Sequence, residues 1–395
     1  TLSDASHAVT NTISNAKNPL GNKTIGAFLQ IDAAQFSAWN NSAKTCNNAS
    51  SLLPKPKLSF AFQGSGLLLP FYSGVVQALQ DRNVLTPNIS RSASFGGQSG
   101  GAITAVLTAL GVPGLQQFQI FQQTLVGVAI CQATLPADQQ LQECSFNKIG
   151  LPLLAAAIRA VNSDAVKAIN KRVVLWSCQV DVLSTTLLNG VAQGTSTWTD
   201  VDDLIANIAV SDLIPCFTDA TFYNLFRGSA FIDGGYCSDF AQLCPGGVAA
   251  PGATGTKCLK MATTFLGPNL RGTPLPTPEN CPSATPRNKW VNVGKGYYTP
   301  AEEKEWKLPR GDCRNPADVA SVKANTTPFV PFGATALPDI HPTFYAPLPP
   351  VFNNGCEWLA TSSSPPFPGL AGFAEVYAHG YESGLGWASE NGYCG

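Results

Sequence analysis

Apolar positions first take on a clear period at residues 58–62, where "LSFAF" ends in Gln63-Gly64-Ser65-Gly66. A short, aromatic-rich run closed by glycines predicts a buried strand and a tight loop. Beyond the loop the period changes. Val75, Val76, Leu79 and Leu85 give a helical face, and Pro70 sits near the helix start, where proline is tolerated. The same strand–glycine–helix succession returns in "SASFGGQSGGAITAVLTALG", residues 92–111. Residues 114–130 and 150–173 read as helices, and the β-branched stretch 172–190 as one or two strands. Residues 199–217 read as a helix with acids in its first turn, which suits the helix dipole. "GSAFIDGGYCSDF", 228–240, reads as a strand that ends in Asp-Gly-Gly. Strands alternating with helices predict an α/β fold with a largely parallel sheet.

The two ends of the chain break this pattern. Residues 1–50 are rich in Asn, Ser, Thr and Ala and read as an arm laid on the domain. Residues 51–245 form the patterned domain. After about 245 the helical period fades, and 21 of the 30 prolines lie in 241–395. Residues 246–395 therefore read as an irregular, Pro- and Cys-rich extension, stapled by disulfides and packed on the core, with a small separate domain as the alternative. No internal repeat or coiled coil is present.

Charged residues are 12% of the 395 and the net charge is −1. The usual charged share is roughly 25%. With no basic block, nothing points to nucleic acid. The 12 cysteines form no CxxC pair and histidine is scarce, which argues against zinc and for disulfides made in an oxidising compartment. Buried free thiols are the alternative. Asn22, Asn40, Asn48, Asn88 and Asn325 each open an N-x-[ST] sequon and are expected to carry N-glycans. The start at Thr1 fits a trimmed precursor. No apolar run reaches the roughly 18 residues that span a bilayer, so a secreted or lumenal soluble protein is expected.

Gly97-Gln98-Ser99-Gly100-Gly101 fits G-x-S-x-G. A nucleophile elbow needs such glycines because its serine sits on a strained strand-to-helix turn that backbone and substrate must approach closely. Gly97 and Gly101 are the elbow glycines, and the helix that follows aims its first amides at the serine. A serine also needs a base. The chain has three histidines, His7 in the polar arm and His341 and His379 in the Pro-rich region, and none ends a clear strand. Asp233 does end one, and Gly234-Gly235 leave space beside its carboxylate. Burial would raise its proton affinity enough for base work. Read alone, Asp-Gly-Gly is only a turn. Gly64, Ser65 and Gly66, together with Gly100, could present amides as an oxyanion hole. A phosphate cradle is disfavoured: the Walker Lys-Ser/Thr is missing, and position 69 is Leu where GxGxxG needs glycine.

Strand–GxG–helix, strand–GxSxG–helix and strand–DGG, in that order, resemble the patatin-like phospholipase family. "GSGLLLPFYSGVVQAL" is most similar to the adipose-triglyceride-lipase branch. "SASFGGQSGGAITAV" resembles the patatin elbow, "SDLIPCF" the short segment before the DGG strand, and "FIDGGYCSDF" the DGG box. The likeness covers about residues 57–240. It implies a three-layer α/β/α sandwich and a Ser99–Asp233 dyad without histidine. The amides of Gly64, Ser65, Gly66 and Gly100 would hold the oxyanion. The implied reaction is hydrolysis of glycerolipid esters through an acyl-enzyme, as in a phospholipase A or acylglycerol lipase. Leu67, Leu68 and Leu69 stand where many patatins carry Arg or Lys, which favours neutral lipids over anionic head groups. Ser238-Asp239-Phe240 replaces a frequent Asn-x-Pro after the DGG.

The expected partners are an acyl-ester substrate, a membrane or lipid surface, and N-glycans. "LLLPFY" (67–72) and "FQIFQQTLVGVAI" (118–130) could line an acyl tunnel, though core packing suits most of those residues. No metal or organic cofactor is implied. Two other readings stand beside the hydrolase. One is an inactive patatin-scaffold glycoprotein of a cell wall or matrix, with extracellular assembly partners. The other is a Ser-His-Asp esterase that uses His341 or His379.

Overall fold

The computed structural model describes residues 55–180, 190–214, 218–245 except 220, 222 and 239, 256–264, 337–352, 355–361 and 372–393. The N-terminal arm, with His7, Asn22, Asn40 and Asn48, and the sequon at Asn325 lie outside these residues.

Leu58–Phe62 forms β1, and Leu69–Asp81 forms α1 after the glycine loop and a 3-10 turn at Gly66–Leu68. Pro70 lies in the first turn of α1, as its fixed φ prefers. Then come α2 (Pro87–Ser92), β2 (Phe95–Gln98), α3 (Gly100–Ala109), α4 (Gly114–Thr134), α5 (Ala137–Glu143), α6 (Phe146–Val161) and α7 (Ala165–Ile169). β3 (Val173–Val180), β4 (Val191–Thr195), α8 (Val201–Ser211), β5 (Asn224–Phe226) and β6 (Ser229–Asp233) follow. The Asp200 side chain caps α8 by accepting the Asp203 amide at 2.9 Å. Past β6 lie α9 (Phe240–Leu243), β7 (Lys257–Met261), α10 (Gly355–Ala360) and α11 (Gly372–Glu390).

The seven strands make one mixed sheet flanked by helices, an α/β fold. Its central run β7-β1-β2-β3 is parallel. β4 and β6 pair antiparallel with β3, and β5 with β6. Phe60, Ala61 and Phe62 of β1 are all fully buried, because a parallel strand covered on both faces has no polar side to show. Phe60 stacks on Phe95 of β2 with centroids 5.1 Å apart. Side chains of this size stabilise by about 1.5–3 kcal/mol each when buried.

The chain beyond residue 245 is less irregular than its prolines suggest. β7 is an integral strand beside β1. α11 is a 19-residue helix laid along α1. The two helices cross at backbone contact: a methyl on Gly74 of α1 would lie 2.0 Å from the Tyr377 carbonyl, and one on Gly380 of α11 would lie 2.0 Å from the Phe71 carbonyl. Only glycine permits that approach.

Each of the six cysteines whose side chains are described is in a disulfide: Cys131–Cys144, Cys178–Cys237 and Cys244–Cys258. Such bonds mark an oxidising compartment, extracellular or lumenal. Asn88 is exposed on α2. No helix among the described residues is long and apolar enough to cross a membrane.

Candidate active site

Register brings the two acid- and hydroxyl-bearing turns together. Gln98 of β2 pairs with Trp176 of β3, and Asp233 of β6 pairs with the next β3 residue, Ser177. β4 spans Leu175–Gln179 along the other edge of β3, so β2 and β6 must share the first edge. They run towards each other along it and end face to face, β2 at Ser99 and β6 at Asp233. The join leaves no room for side chains. A methyl on Gly234 would lie 2.2 Å from the Trp176 carbonyl and 2.9 Å from Gln98 Cβ. The Cys178–Cys237 disulfide pins the turn after Asp233 to β3. Ser238 hydrogen-bonds the Gln98 side chain across the junction.

Ser99 has φ 54° and ψ −139°, between β2 and the first turn of α3. A non-glycine residue with positive φ is strained and persists only where its surroundings hold it. The hold comes from α8. The Ser99 amide donates to the Ser211 carbonyl at 3.0 Å and to Ser211 Oγ at 3.2 Å. Ser211 Oγ in turn donates to the Trp176 carbonyl at 2.7 Å. Two residues later the Asp233 amide donates to the Leu213 carbonyl at 2.9 Å. The "SDLIP" segment thus ties the elbow to the Asp-Gly-Gly turn.

That segment also delivers a residue the sequence reading did not single out. The Ser99 hydroxyl donates to Asp212 Oδ1 at 3.3 Å. Asp212 and Asp233 are 4% and 2% exposed. Asp233 Oδ1 accepts the Gly235 amide at 2.6 Å. The Oδ2 atoms of both aspartates have no hydrogen-bond partner among the described residues. Burial pushes the Asp233 carboxyl up to about 7, although Ser99 and the Gly235 amide pull it down. Burial, with the Asp233 charge added, holds Asp212 well above the ordinary carboxylate range, against the pull of its hydrogen bond to Ser99. The signal for Asp212 was a lone acid inside the apolar run "AVSDLIP".

A mainly apolar cavity of about 210 Å³ adjoins the cluster. Leu67, Leu69, Ile103, Leu125, Val128 and Phe146 supply its apolar wall. Gly66, Gly100 and Asp212 also line it; Ser99 and Asp233 are not among its lining residues. Among the described residues the Gly66 and Gly100 amides have no acceptor. Gly64 and Ser65 are not among its lining residues; the Gly64 carbonyl accepts Thr263 Oγ at 3.4 Å, and Ser65 Oγ donates to the Gly66 carbonyl at 3.3 Å. The loop is braced from β7, where the Gln63 amide donates to the Met261 carbonyl at 3.0 Å. Gly97 and Gly101 face each other across the elbow in backbone contact.

Neither described histidine is a hydrogen-bond partner of Ser99. His379 is 2% exposed on α11, bonded through Nε2 to the Pro342 carbonyl and packed on Phe71 and Trp358. His341 hydrogen-bonds Thr343. Burial pushes both imidazoles down to about 4. Among the described residues no group of three or more His, Cys, Asp or Glu could hold a metal ion. No protein-family model matches the chain, and no curated protein matches it.

Proposed function

We propose that the chain is a serine ester hydrolase of patatin-like type, acting on neutral glycerolipids from an extracellular or lumenal compartment. The observation that carries this reading is a strained serine whose hydroxyl meets two buried carboxyls beside an apolar cavity. Ser99 Oγ attacks the ester carbonyl as its hydroxyl turns from Asp212 Oδ1 to Asp233, which takes the proton. A carboxylate pushed up to about 7 is matched to base work near neutral pH. The Gly66 and Gly100 amides, on the cavity lining and without acceptors among the described residues, hold the developing oxyanion. The acyl chain occupies the cavity, whose lining among the described residues offers no cation to an anionic head group. Water then hydrolyses the acyl-enzyme. The order of the three motifs supports the three-layer patatin sandwich.

Fluorophosphonate labelling of the whole protein, read by peptide mass spectrometry, tests the reading. The expected adduct is on Ser99. The Ser99→Ala variant should lose it together with at least about 10³-fold of its activity on an acylglycerol. A folded protein whose Ser99 stays unlabelled and which hydrolyses no ester would sink the proposal and leave the scaffold glycoprotein.

A further inference from the structure

We infer that Asp212 is a second catalytic acid of this site, a neutral carboxylic acid that protonates the departing alcohol while Asp233 takes the serine proton. The inference rests on the ester-hydrolase reading and adds a proton donor to it. Asp212 is the one member of the cluster that lines the cavity, so a bound ester meets it directly. Its Oδ1 is 3.3 Å from Ser99 Oγ and its Oδ2 is free of partners among the described residues. The backbone holds it in place. Its amide donates to the Ile208 carbonyl at 2.9 Å, and its carbonyl accepts Thr218 Oγ at 2.6 Å.

Two buried carboxyls facing one hydroxyl cannot both be ionised without a cation, so the pair keeps one proton. Among the described residues the groups that face Asp212 are Ser99 from the β2–α3 turn, Asp233 from β6 and the neutral Thr218. The cavity wall from α4, α5 and α6 adds Gln132, Gln140 and Ser145 and no charge. The ion pairs Arg159–Asp202 and Arg227–Asp203 join α6 and the β5–β6 turn to α8 at its other end. They lie about 14 Å away along the helix at 1.5 Å per residue. The Ser99 hydroxyl favours the charged form of both carboxyls, but Asp233 also has the Gly235 amide on one oxygen, and among the described residues Asp212 has no amide on its carboxyl. The proton therefore resides on Asp212.

The cycle closes in protons. In acylation the Ser99 O–H proton moves to Asp233, Oγ bonds the carbonyl carbon, and the C–O bond to the alcohol breaks as that oxygen takes the Asp212 proton. Asp233 is then neutral and Asp212 ionised. In deacylation water gives a proton to Asp212 as it bonds the acyl carbon, and Ser99 Oγ leaves with the proton from Asp233. Both acids return to their starting states.

A general acid matters only where the leaving group is poor. The test compares kcat/KM for an alkyl ester and a nitrophenyl ester of the same acyl chain, in wild type and in Asp212→Asn. The expected result is a loss of about 10²–10³-fold on the alkyl ester with the nitrophenyl ester within about fivefold. Wild type should also lose alkyl-ester activity at alkaline pH, where the pair gives up its last proton, and keep nitrophenyl activity there. That profile needs no variant and decides the matter if Asp212→Asn does not fold. Equal losses on both esters, or no loss on either, or matching alkaline profiles, would overturn the role for Asp212 with Ser99 still the nucleophile. Ser99→Ala hydrolysing both esters at wild-type rates would remove the hydrolase reading itself, and the inference with it.

Discussion

Asp233 at the β2–β6 junction and His379 on the α1–α11 seam are equally buried, each 2% exposed, yet the chain treats them differently. The His379 ring is neutral, bonded to the Pro342 carbonyl and enclosed by Phe71 and Trp358. Among the described residues Asp233 and its neighbour Asp212 each keep an oxygen without a partner, beside a serine at φ 54°. The seam too has groups unpaired among the described residues, the hydroxyls of Tyr377 and Ser383. A buried neutral hydroxyl without a partner costs about 1–3 kcal/mol. A buried carboxylate without a cation costs enough that it takes up a proton instead. Burial alone therefore does not separate core from site. The separation lies in ionisable groups left unsatisfied next to a cavity and a strained backbone.

The sharpest way to break this contrast is a pair of substitutions. Asp233→Asn removes the base and keeps the shape. It should cost on the order of 10³-fold in kcat/KM with the melting temperature held or raised. His379→Gln should do the reverse: it loses packing against two aromatic rings and about 2–3 kcal/mol of stability, with kcat/KM per folded molecule unchanged. A folded but inactive His379→Gln protein would give that histidine a role in catalysis and end the contrast.

What was legible in the sequence was local. β1, the glycine loop, the elbow and the Asp-Gly-Gly turn each announce themselves within a dozen residues, because strand period, turn glycine and helix period follow one another. Asp212 depends on the end of α8 docking between two other turns, and only its apolar neighbours hinted at burial. α11 was hidden for a physical reason. It contains Gly372, Gly380, Gly384 and Gly386, and glycine costs about 1 kcal/mol per helical position. Packing against α1 overrides that cost, and α1 cannot be approached so closely without Gly380 and Gly384, while Gly386 makes room for the Tyr345 side chain. β7 is five residues with lysines at 257 and 260, too short and too mixed to register as a strand before β1 is seen beside it. β7 and Thr263 brace the glycine loop and α11 packs on α1 behind it, so part of the stretch beyond residue 245 supports the site as well as wrapping the core.

The pH dependence of stability sharpens the contrast next, since the two regions carry opposite signs. His341 and His379 are pushed down to about 4 when folded. Between about 4 and 6.5 the unfolded chain binds more protons at these positions, so their contribution makes stability rise with pH, each by at most about 3 kcal/mol. Asp233 is raised to about 7 when folded. Its contribution is fully present below the unfolded value of about 3.9 and is lost as pH rises through 7, by at most about 4 kcal/mol. The two trends partly cancel in wild type. Asp233→Asn should uncover the histidine trend, and its stability in denaturant should climb more steeply from pH 4 to 7 than that of wild type. His379→Gln should flatten or reverse the climb. Parallel curves for wild type and Asp233→Asn would show that this carboxyl is not protonated more readily in the folded state.

The smallest expected effect tests whether the seam is only structural. The Tyr381 hydroxyl on α11 donates to Asp81 Oδ2 at 2.8 Å, and Gln77 Nε2 donates to Asp81 Oδ1 at 2.9 Å. Both partners lie on α1. Tyr381→Phe keeps the ring against Ala78 and Leu385 and removes one hydrogen bond to a carboxylate. Asp81 is exposed, so water replaces the lost donor, and the cost should be about 1 kcal/mol, read as a small drop in denaturation midpoint. The kcat/KM of the folded variant and its pH profile should not move. α1 begins one 3-10 turn after the glycine loop, however, at Leu69. If so mild a change at the far end of α1 lowered kcat/KM more than a few-fold, α1 would be transmitting the position of α11 to the Gly66 amide. The seam would then belong to the active site, and the line between the two regions would have to be redrawn along α1.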